Sequence, residues 1–167
     1  MGGEVRVVAY DPAWVTTFAS IHKVVTSALG PLAQRVEHVG STSVPGLWAK
    51  PIVDIDVVIQ SWASLPDTVT ALGSLGYVHQ GDQGIKEREA FKSPAGTPSH
   101  NLYVCSADSR ELKRHVAFRD YLRSHSDAVS EYAELKKKLA VEFRNDIDGY
   151  CEAKTDFIES ILAKAGA

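Results

Sequence analysis

The order of apolar and polar residues divides the chain into a strand-rich first two thirds and a helical last third. Val5 to Ala9 is predicted as a short strand, followed by Asp11-Pro12, which pairs a helix N-cap with proline at the first helical position. Trp14, Phe18, Ile21, Val25 and Ala28 then recur at spacings of three and four, the apolar face of one helix, and Gly30-Pro31 stops it. Gln34 to Val39 reads as a second strand that runs into the small polar stretch Gly40-Ser-Thr-Ser43. A loop or single helical turn occupies Val44 to Pro51. Ile52 to Ile59 is the strongest strand signal, rich in β-branched residues on both faces. Leu65, Val69, Leu72 and Leu75 mark a helix closed by Gly76. Tyr77 to Gln80, Lys86 to Lys92 and Ser99 to Ser106 are further strands, the last two joined as a hairpin by Pro94-Ala-Gly-Thr-Pro98.

From Asp108 onward the period is helical. Asp108-Ser-Arg-Glu111 has the form of a capping box, and Leu112, Val116 and Leu122 line one face of the helix behind it. A second helix starts at Ser126 or Asp127 and turns Tyr132, Leu135, Leu139 and Phe143 inward; a last one does the same with Tyr150, Ala153, Phe157 and Ile161. No linker or internal repeat interrupts this order. Residues 1–167 are therefore expected to form one α/β (α+β) domain, a mixed β-sheet flanked by helices with a C-terminal helical segment.

Composition narrows the choice of partners. Apolar residues make up 44% and charged residues 23%, ordinary globular usage, and the formal net charge is −3. Lys113, Arg114, His115, Arg119 and Arg123 load one helix with positive charge. Of these Arg119 falls near the apolar stripe and is expected to point inward, while the others and Lys136-Lys-Lys138 read as solvated faces. Without a basic stripe bearing stacking aromatics, the pattern argues against nucleic acid as a partner. The N-terminus lacks an apolar signal-peptide core, and the run Pro51 to Ile59 is too short for a bilayer, so a cytoplasmic protein without membrane attachment is expected. Cys105 and Cys151 are expected as buried free thiols. Nothing in the sequence fixes an oligomeric state.

The candidate chemistry lies in the strongest strand. Asp54 and Asp56 are two apart, so both side chains leave one face, with Cα atoms roughly 7 Å apart. Two such carboxylates can converge on divalent ions, and hard oxygen ligands suit Mg²⁺ or Mn²⁺. Their apolar neighbours mean that they need some compensating partner; a metal is one, a lysine such as Lys50 another. Twelve residues separate Asp54 from Ser41. A Gly-Ser turn at a strand end either lets backbone N–H groups approach a phosphate or is simply a turn.

Gly40-Ser41 and Asp54-Ile-Asp56 together resemble the signature of the DNA polymerase β-like nucleotidyltransferase superfamily. The longer string is more specific. His38-Val-Gly-Ser-Thr-Ser-Val-Pro-Gly-Leu47 and Ala49-Lys-Pro-Ile-Val-Asp-Ile-Asp56 look like the hallmark of the GrpB family. The likeness continues through Gly76-Tyr77, Arg88, His100-Asn-Leu-Tyr-Val104, Arg114-His-Val-Ala-Phe-Arg-Asp-Tyr-Leu122, Tyr132, Leu135, Lys136, Tyr150, Lys154 and Phe157, nearly the whole chain. The resemblance implies the nucleotidyltransferase fold, in a family sometimes fused to dephospho-coenzyme A kinase. It further implies Mg²⁺-dependent (or Mn²⁺-dependent) transfer of a nucleoside monophosphate from a nucleoside triphosphate to an unknown small-molecule or protein acceptor. Asp54 and Asp56 would be catalytic metal ligands, with Gly40, Ser41, Thr42 and Ser43 around the triphosphate. Lys50 would meet the phosphates or pair with Asp54; Arg88 would join the site or stand in a surface charge ladder with Glu87 and Glu89.

One departure from the superfamily pattern matters. A third carboxylate usually comes from a later strand, and Ser99 to Cys105 holds no acid. His100 is then a candidate base or nitrogen ligand, or a hydrogen-bonded structural histidine, and Glu87 or Glu89 a substitute acid. The missing acid also motivates a second reading, a nucleotide- or phosphometabolite-binding module that keeps the fold without turnover.

Overall fold

Residues 4–167 are described by the computed structural model; Met1, Gly2 and Gly3, the start of the stretch read above as lacking an apolar leader, lie outside the described residues. The first long element is α1 (Ala13–Leu29), entered through Asp11, whose Oδ1 accepts from the backbone N of Ala13 at 2.9 Å. Trp14, Ile21, Val25 and Leu29 are its buried stripe. Then come β1 (Ala33–Val39), β2 (Val53–Ile59), α2 (Leu65–Ser74), β3 (Val78–Gly81), β4 (Arg88–Lys92) and β5 (His100–Cys105). The chain ends in α3 (Arg110–Arg123), α4 (Ser126–Glu142), α5 (Ile147–Ala153) and α6 (Thr155–Lys164).

The five strands form one mixed sheet in the order β1-β2-β5-β4-β3. Only β2 and β5 run parallel; every other neighbouring pair is antiparallel. Because side chains alternate along a strand, the inner strands carry two different surfaces. Val53, Ile55, Val57 and Ile59 of β2, with Leu102 and Val104 of β5, pack against α1 and α2 in the principal core. Asp54, Asp56 and Val58 leave the other face, toward the C-terminal helices, where Val58, Cys105 and Leu112 form a small apolar patch. This split explains why β2 looked apolar on both faces and yet carries two acids.

The C-terminal helices cover that second face at one end. Leu122 of α3, Ala128, Tyr132 and Ala133 of α4 and Ile161 of α6 bury themselves against Val44 and Leu47 of the loop between β1 and β2. The strand predicted at Val5 to Ala9 does not form. Its one bridge is Val8 to Ala49, while Val5 donates its backbone N–H to Arg144 O at 2.8 Å and packs on Leu139 and Tyr150, so the segment straps α4 to the loop instead of extending the sheet. The cap of α3 is Ser109, whose Oγ accepts from Leu112 N, and not Asp108. The predicted last helix is two, broken at Lys154, which leaves Ala153 exposed and turns Lys154 inward. Both cysteines are free, Cys105 buried as expected but Cys151 exposed.

Arg119, 9% exposed, ties α3 to β1. Its guanidinium donates to Glu37 Oε2, to His38 O at 3.1 Å and to Asp120 Oδ1 at 2.9 Å. Removing one member of a buried ion pair strands the other, a loss of about 3 kcal/mol. Arg119→Ala is expected to lower unfolding stability by about that much in urea titrations, and Arg119→Met combined with Glu37→Gln by less than the two single losses together.

Candidate active site

Two rows of residues cross the polar face of the sheet. Val39, Asp54 and Asn101 stand in register, as do Glu37, Asp56 and Tyr103 one step along. Asn101 Nδ2 donates to Asp54 Oδ1 at 2.9 Å. Asp56 is 1% exposed; its Oδ2 accepts from His115 Nδ1 at 2.7 Å, and its Oδ1 is buried with no hydrogen-bond partner. An ionised carboxylate only accepts, so Nδ1 of His115 carries the proton in this pair. Glu37, the other acid of these rows, is engaged by Arg119.

Electrostatics follow from these contacts. Burial raises the Asp54 pKa above the usual carboxylate value, against the opposing pull of Asn101, His115 and Lys50. For His115 burial works against the charge, but the hydrogen bond and the negative charge of Asp56 outweigh it and the pKa rises.

Gly40 closes the strand end against Asp54. With φ 73° it lies in the left-handed region, and a Cβ there would overlap Asp54 Oδ2 and lie 3.1 Å from the Asp54 Cβ. The turn behind it, Ser41–Ser43, is pinned from several sides. Ser43 Oγ donates to Gly40 O at 2.5 Å, Arg123 Nε donates to Ser43 O at 2.9 Å, and Lys136 Nζ donates to Ser41 Oγ and, at 3.2 Å, to Trp48 O. Thr42 Oγ1 pairs with His38 Nε2 at 2.9 Å, and the His38 ring stacks on Phe18.

Two small cavities share Asp54 as a wall. The first, about 150 Å³, is lined by Ser41, Thr42, Lys50, Asn101, Lys136, Tyr150 and Lys154. Lys50 and Lys154 both sit over the Tyr150 ring, at 5.7 and 4.4 Å from its centroid, and Lys136 lies 4.5 Å from that of Tyr132. Burial and the neighbouring Lys154 and Lys50 hold the Lys136 ammonium well below its ordinary pKa, with Asp54 opposing. Lys154 is lowered too, by burial and by Lys50. Among the described residues none of the three has a carboxylate partner within ion-pair distance. The second cavity, about 180 Å³, is lined by Val39, Gly40, Asp54, Arg88, Tyr103 and His115.

The predicted residues are thus distributed unevenly. Gly40, Ser41, Thr42, Lys50 and Asp54 border one or both cavities, Arg88 borders the second, Asp56 lies beneath His115, and Ser43 closes the turn. His100 stands apart: it is the β5 neighbour of Val53 and faces the α1 layer, where its ring binds Tyr77 Oη and Pro98 O, each at 2.7 Å. It is a structural histidine here. Glu89 also faces away and pairs with His79. No third acid joins the two aspartates among the described residues, and the position in register with Asp54 belongs to Asn101. His115 and Lys136, read from the sequence as solvated, are turned to the site, as is Lys154. A signal for them existed. Leu112, His115, Arg119 and Leu122 fall on one helical stripe, and Lys136 stands four residues after Tyr132 and three before Leu139, both buried.

Fold and site together define a protein of the nucleotidyltransferase fold. A poly(U) polymerase crystal structure superposes with a TM-score of 0.55 at 11% identity, over 77% of this chain and 40% of that one, a likeness of fold alone. The particular assignment is firmer: the family model described as GrpB protein matches residues 4–164, and the chain belongs to the GrpB family. The crystal structure of the conserved protein GrpB from Enterococcus faecalis superposes with a TM-score of 0.87 at 34% identity, covering 96% of both chains. A UPF0157 protein of Halalkalibacterium halodurans is 37% identical over 98% of this chain and 83% of its own length. A dephospho-CoA kinase of Mycolicibacterium paratuberculosis is 26% identical over 96% of this chain but only 46% of its own length.

Two outcomes follow from the packing at the strand end. Gly40→Ala should destabilise the protein by about 2 kcal/mol or more and displace Asp54, seen as a lowered Tm and as altered backbone amide shifts at Asp54 and Asn101. His38 is buried beside Arg123 and Arg119, and its pKa falls to about 4. The folded value lies below the unfolded one of 6.5, so the unfolded chain binds the extra proton between these values and stability declines as pH drops from 6.5 toward 4. Across that window the urea midpoint of the wild type should lose ground toward low pH relative to that of His38→Gln, which lacks this titration.

Proposed function

We propose that this protein is a nucleotidyltransferase that moves a nucleoside monophosphate from a nucleoside triphosphate to a hydroxyl acceptor. The observation that carries the reading is the convergence of Lys50, Lys136 and Lys154, none with a carboxylate partner, on one cavity walled by Asp54 and the Ser41–Ser43 turn. Three basic side chains around one cavity, none in an ion pair, call for a polyanionic ligand, and a triphosphate supplies one. The fold likeness to a poly(U) polymerase, itself solved with a UTP analogue, is consistent with that choice.

The acid pair also suits a divalent ion. Asp54 and Asp56 offer hard oxygens from one strand face, and the buried, unpartnered Oδ1 of Asp56 is an acceptor awaiting a ligand. These residues fit one Mg²⁺ or Mn²⁺. When bound, such an ion neutralises charge on the transferring phosphoryl group. The chain's own contributions are distinct. Lys50, Lys136 and Lys154 hold the β- and γ-phosphates, Ser41 and Thr42 border the same cavity, and His115 fixes the Asp56 carboxylate. In the transfer, the acceptor oxygen bonds to the α-phosphorus as the bond from that phosphorus to the β-bridging oxygen breaks. Pyrophosphate leaves with the electron pair, and the hydroxyl proton passes to solvent.

Asn101 favours a second reading. It occupies the strand position beside Asp54 and already donates to it, a neutral group where a third carboxylate would strengthen metal binding. A module that binds nucleotide without turnover would retain the lysine cavity and dispense with that acid.

Thermal stability with ATP, CTP, GTP and UTP, each with and without Mg²⁺, tests both readings. A ligand of the native state adds about 2.7 kcal/mol at a hundredfold excess over its Kd. A Mg²⁺-dependent rise with at least one triphosphate is expected, reduced in Lys154→Met and lost in Asp54→Asn/Asp56→Asn. Pyrophosphate release then separates transfer from binding alone, and no rise with any triphosphate would sink both.

A further inference from the structure

The second cavity carries a cation of its own. Arg88 opens β4 on the same sheet face as Asp56: its register partner is Cys105, next but one along β5 from Tyr103. Its guanidinium lies 4.3 Å from the centroid of Tyr103, which holds it by a cation–π contact and orients its edge. Among the described residues the Arg88 side chain makes no hydrogen bond and no ion pair, and its Nε is buried without a partner. Three of the four arginines of α3 are engaged, Arg114 by Glu159, Arg119 by Glu37 and Asp120, Arg123 by Ser43 O, and the fourth, Arg110, is exposed at the start of the helix. The surface ladder that the flanking acids suggested does not form, since Glu89 turns to His79.

We propose that this cavity binds the acceptor, and that the acceptor is a small hydroxyl compound whose phosphate or carboxylate group is held by Arg88. A planar guanidinium presents a fork that fits either anion, and among the described residues no carboxylate stands within ion-pair distance of it. Position completes the argument. This cavity and the lysine cavity share Asp54 as a wall, so a ligand anchored on Arg88 would sit beside the same carboxylate as the triphosphate. Its volume of about 180 Å³ suits a small molecule, and Arg88 already covers one face of the Tyr103 ring in its wall. This inference rests on the nucleotidyltransferase reading for the word acceptor; the anion site stands without it.

The test uses the arginine Nε–H resonances of the whole protein, titrated with inorganic phosphate, with acetate, and with chloride at matched ionic strength. The Arg88 signal is expected to shift saturably with phosphate or acetate, and the anion that saturates names the group the acceptor carries. Lys154→Met, which depletes the donor cavity, should leave that titration in place. Following the Tyr103 and His115 signals instead, binding should weaken about tenfold or more in Arg88→Met and less in Arg88→Lys, which keeps the charge without the fork. A drift no different from chloride overturns the proposal, as does saturation that survives Arg88→Met and disappears in Lys154→Met. No nucleotide enters this experiment, so its outcome is independent of the Mg²⁺-triphosphate measurement: either reading can fail while the other holds.

Discussion

Placing two carboxylates on the polar face of an inner strand is the constraint from which most of this structure follows. Asp56 is almost wholly buried, and an ionised acid in that position costs several kcal/mol unless charge or hydrogen bonds answer it. Neighbouring strands place beside the two aspartates the neutral Asn101 and Tyr103 and another acid, Glu37. The answer comes from the helical last third, where α3 brings His115 to Asp56 and Arg119 to Glu37. The C-terminal helices are therefore part of the sheet's electrostatics as well as its cover, and the apolar contacts of Leu122, Tyr132 and Ile161 with Val44 and Leu47 set where those charges arrive.

The strand end adds a steric condition. Gly40 permits the backbone to lie against Asp54, and any side chain there would displace the carboxylate. The turn that follows is held by groups from α3 and α4, Arg123 on Ser43 O and Lys136 on Ser41 Oγ. Loop, acid and helices are thus fixed against one another, the kind of preorganisation that the proposed phosphate chemistry would use. A short Gly-Ser turn suits this role because its neighbours, and not its own side chains, give it rigidity.

Much of the architecture was legible because periodicity reports burial directly. The five strands from β1 to β5, the helices α1 to α4 and the inward turn of Arg119 follow from spacing, and the pairing of Gly40-Ser41 with Asp54-Ile-Asp56 located the centre of both cavities. The failures share a cause. His115 and Lys136 are polar residues on stripes that are otherwise buried, and a rule assigning polar residues to solvent places them wrongly unless the opposite wall is known to carry acids or an anion site. For His100 the sequence left a site role and a structural one open, and register separates them: its neighbour Asn101 faces the site, and alternation sends His100 to the α1 side. Lys154 needed the break between α5 and α6, which no glycine or proline marks.

What the arrangement amounts to is a set of basic side chains without ion-pair partners around two cavities that share one acid. Lys50, Lys136 and Lys154 on one side and Arg88 on the other lack carboxylate partners among the described residues, although the chain as a whole is net negative. Cations held close together away from water destabilise the native state, as the lowered pKa values of Lys136 and Lys154 register, and selection for stability alone would replace or pair them. An anion entering either cavity removes part of that cost, so binding energy is drawn from strain the empty protein already carries. Because Asp54 walls both cavities, each anion alters the field that the other meets. Two anions beside one carboxylate repel unless a cation lies between them, and on the proposed reading Asp54 and Asp56 would hold that cation. On the proposed reading the acids, the lysines and the arginine act together, with two anionic ligands brought to the two cavities that share Asp54.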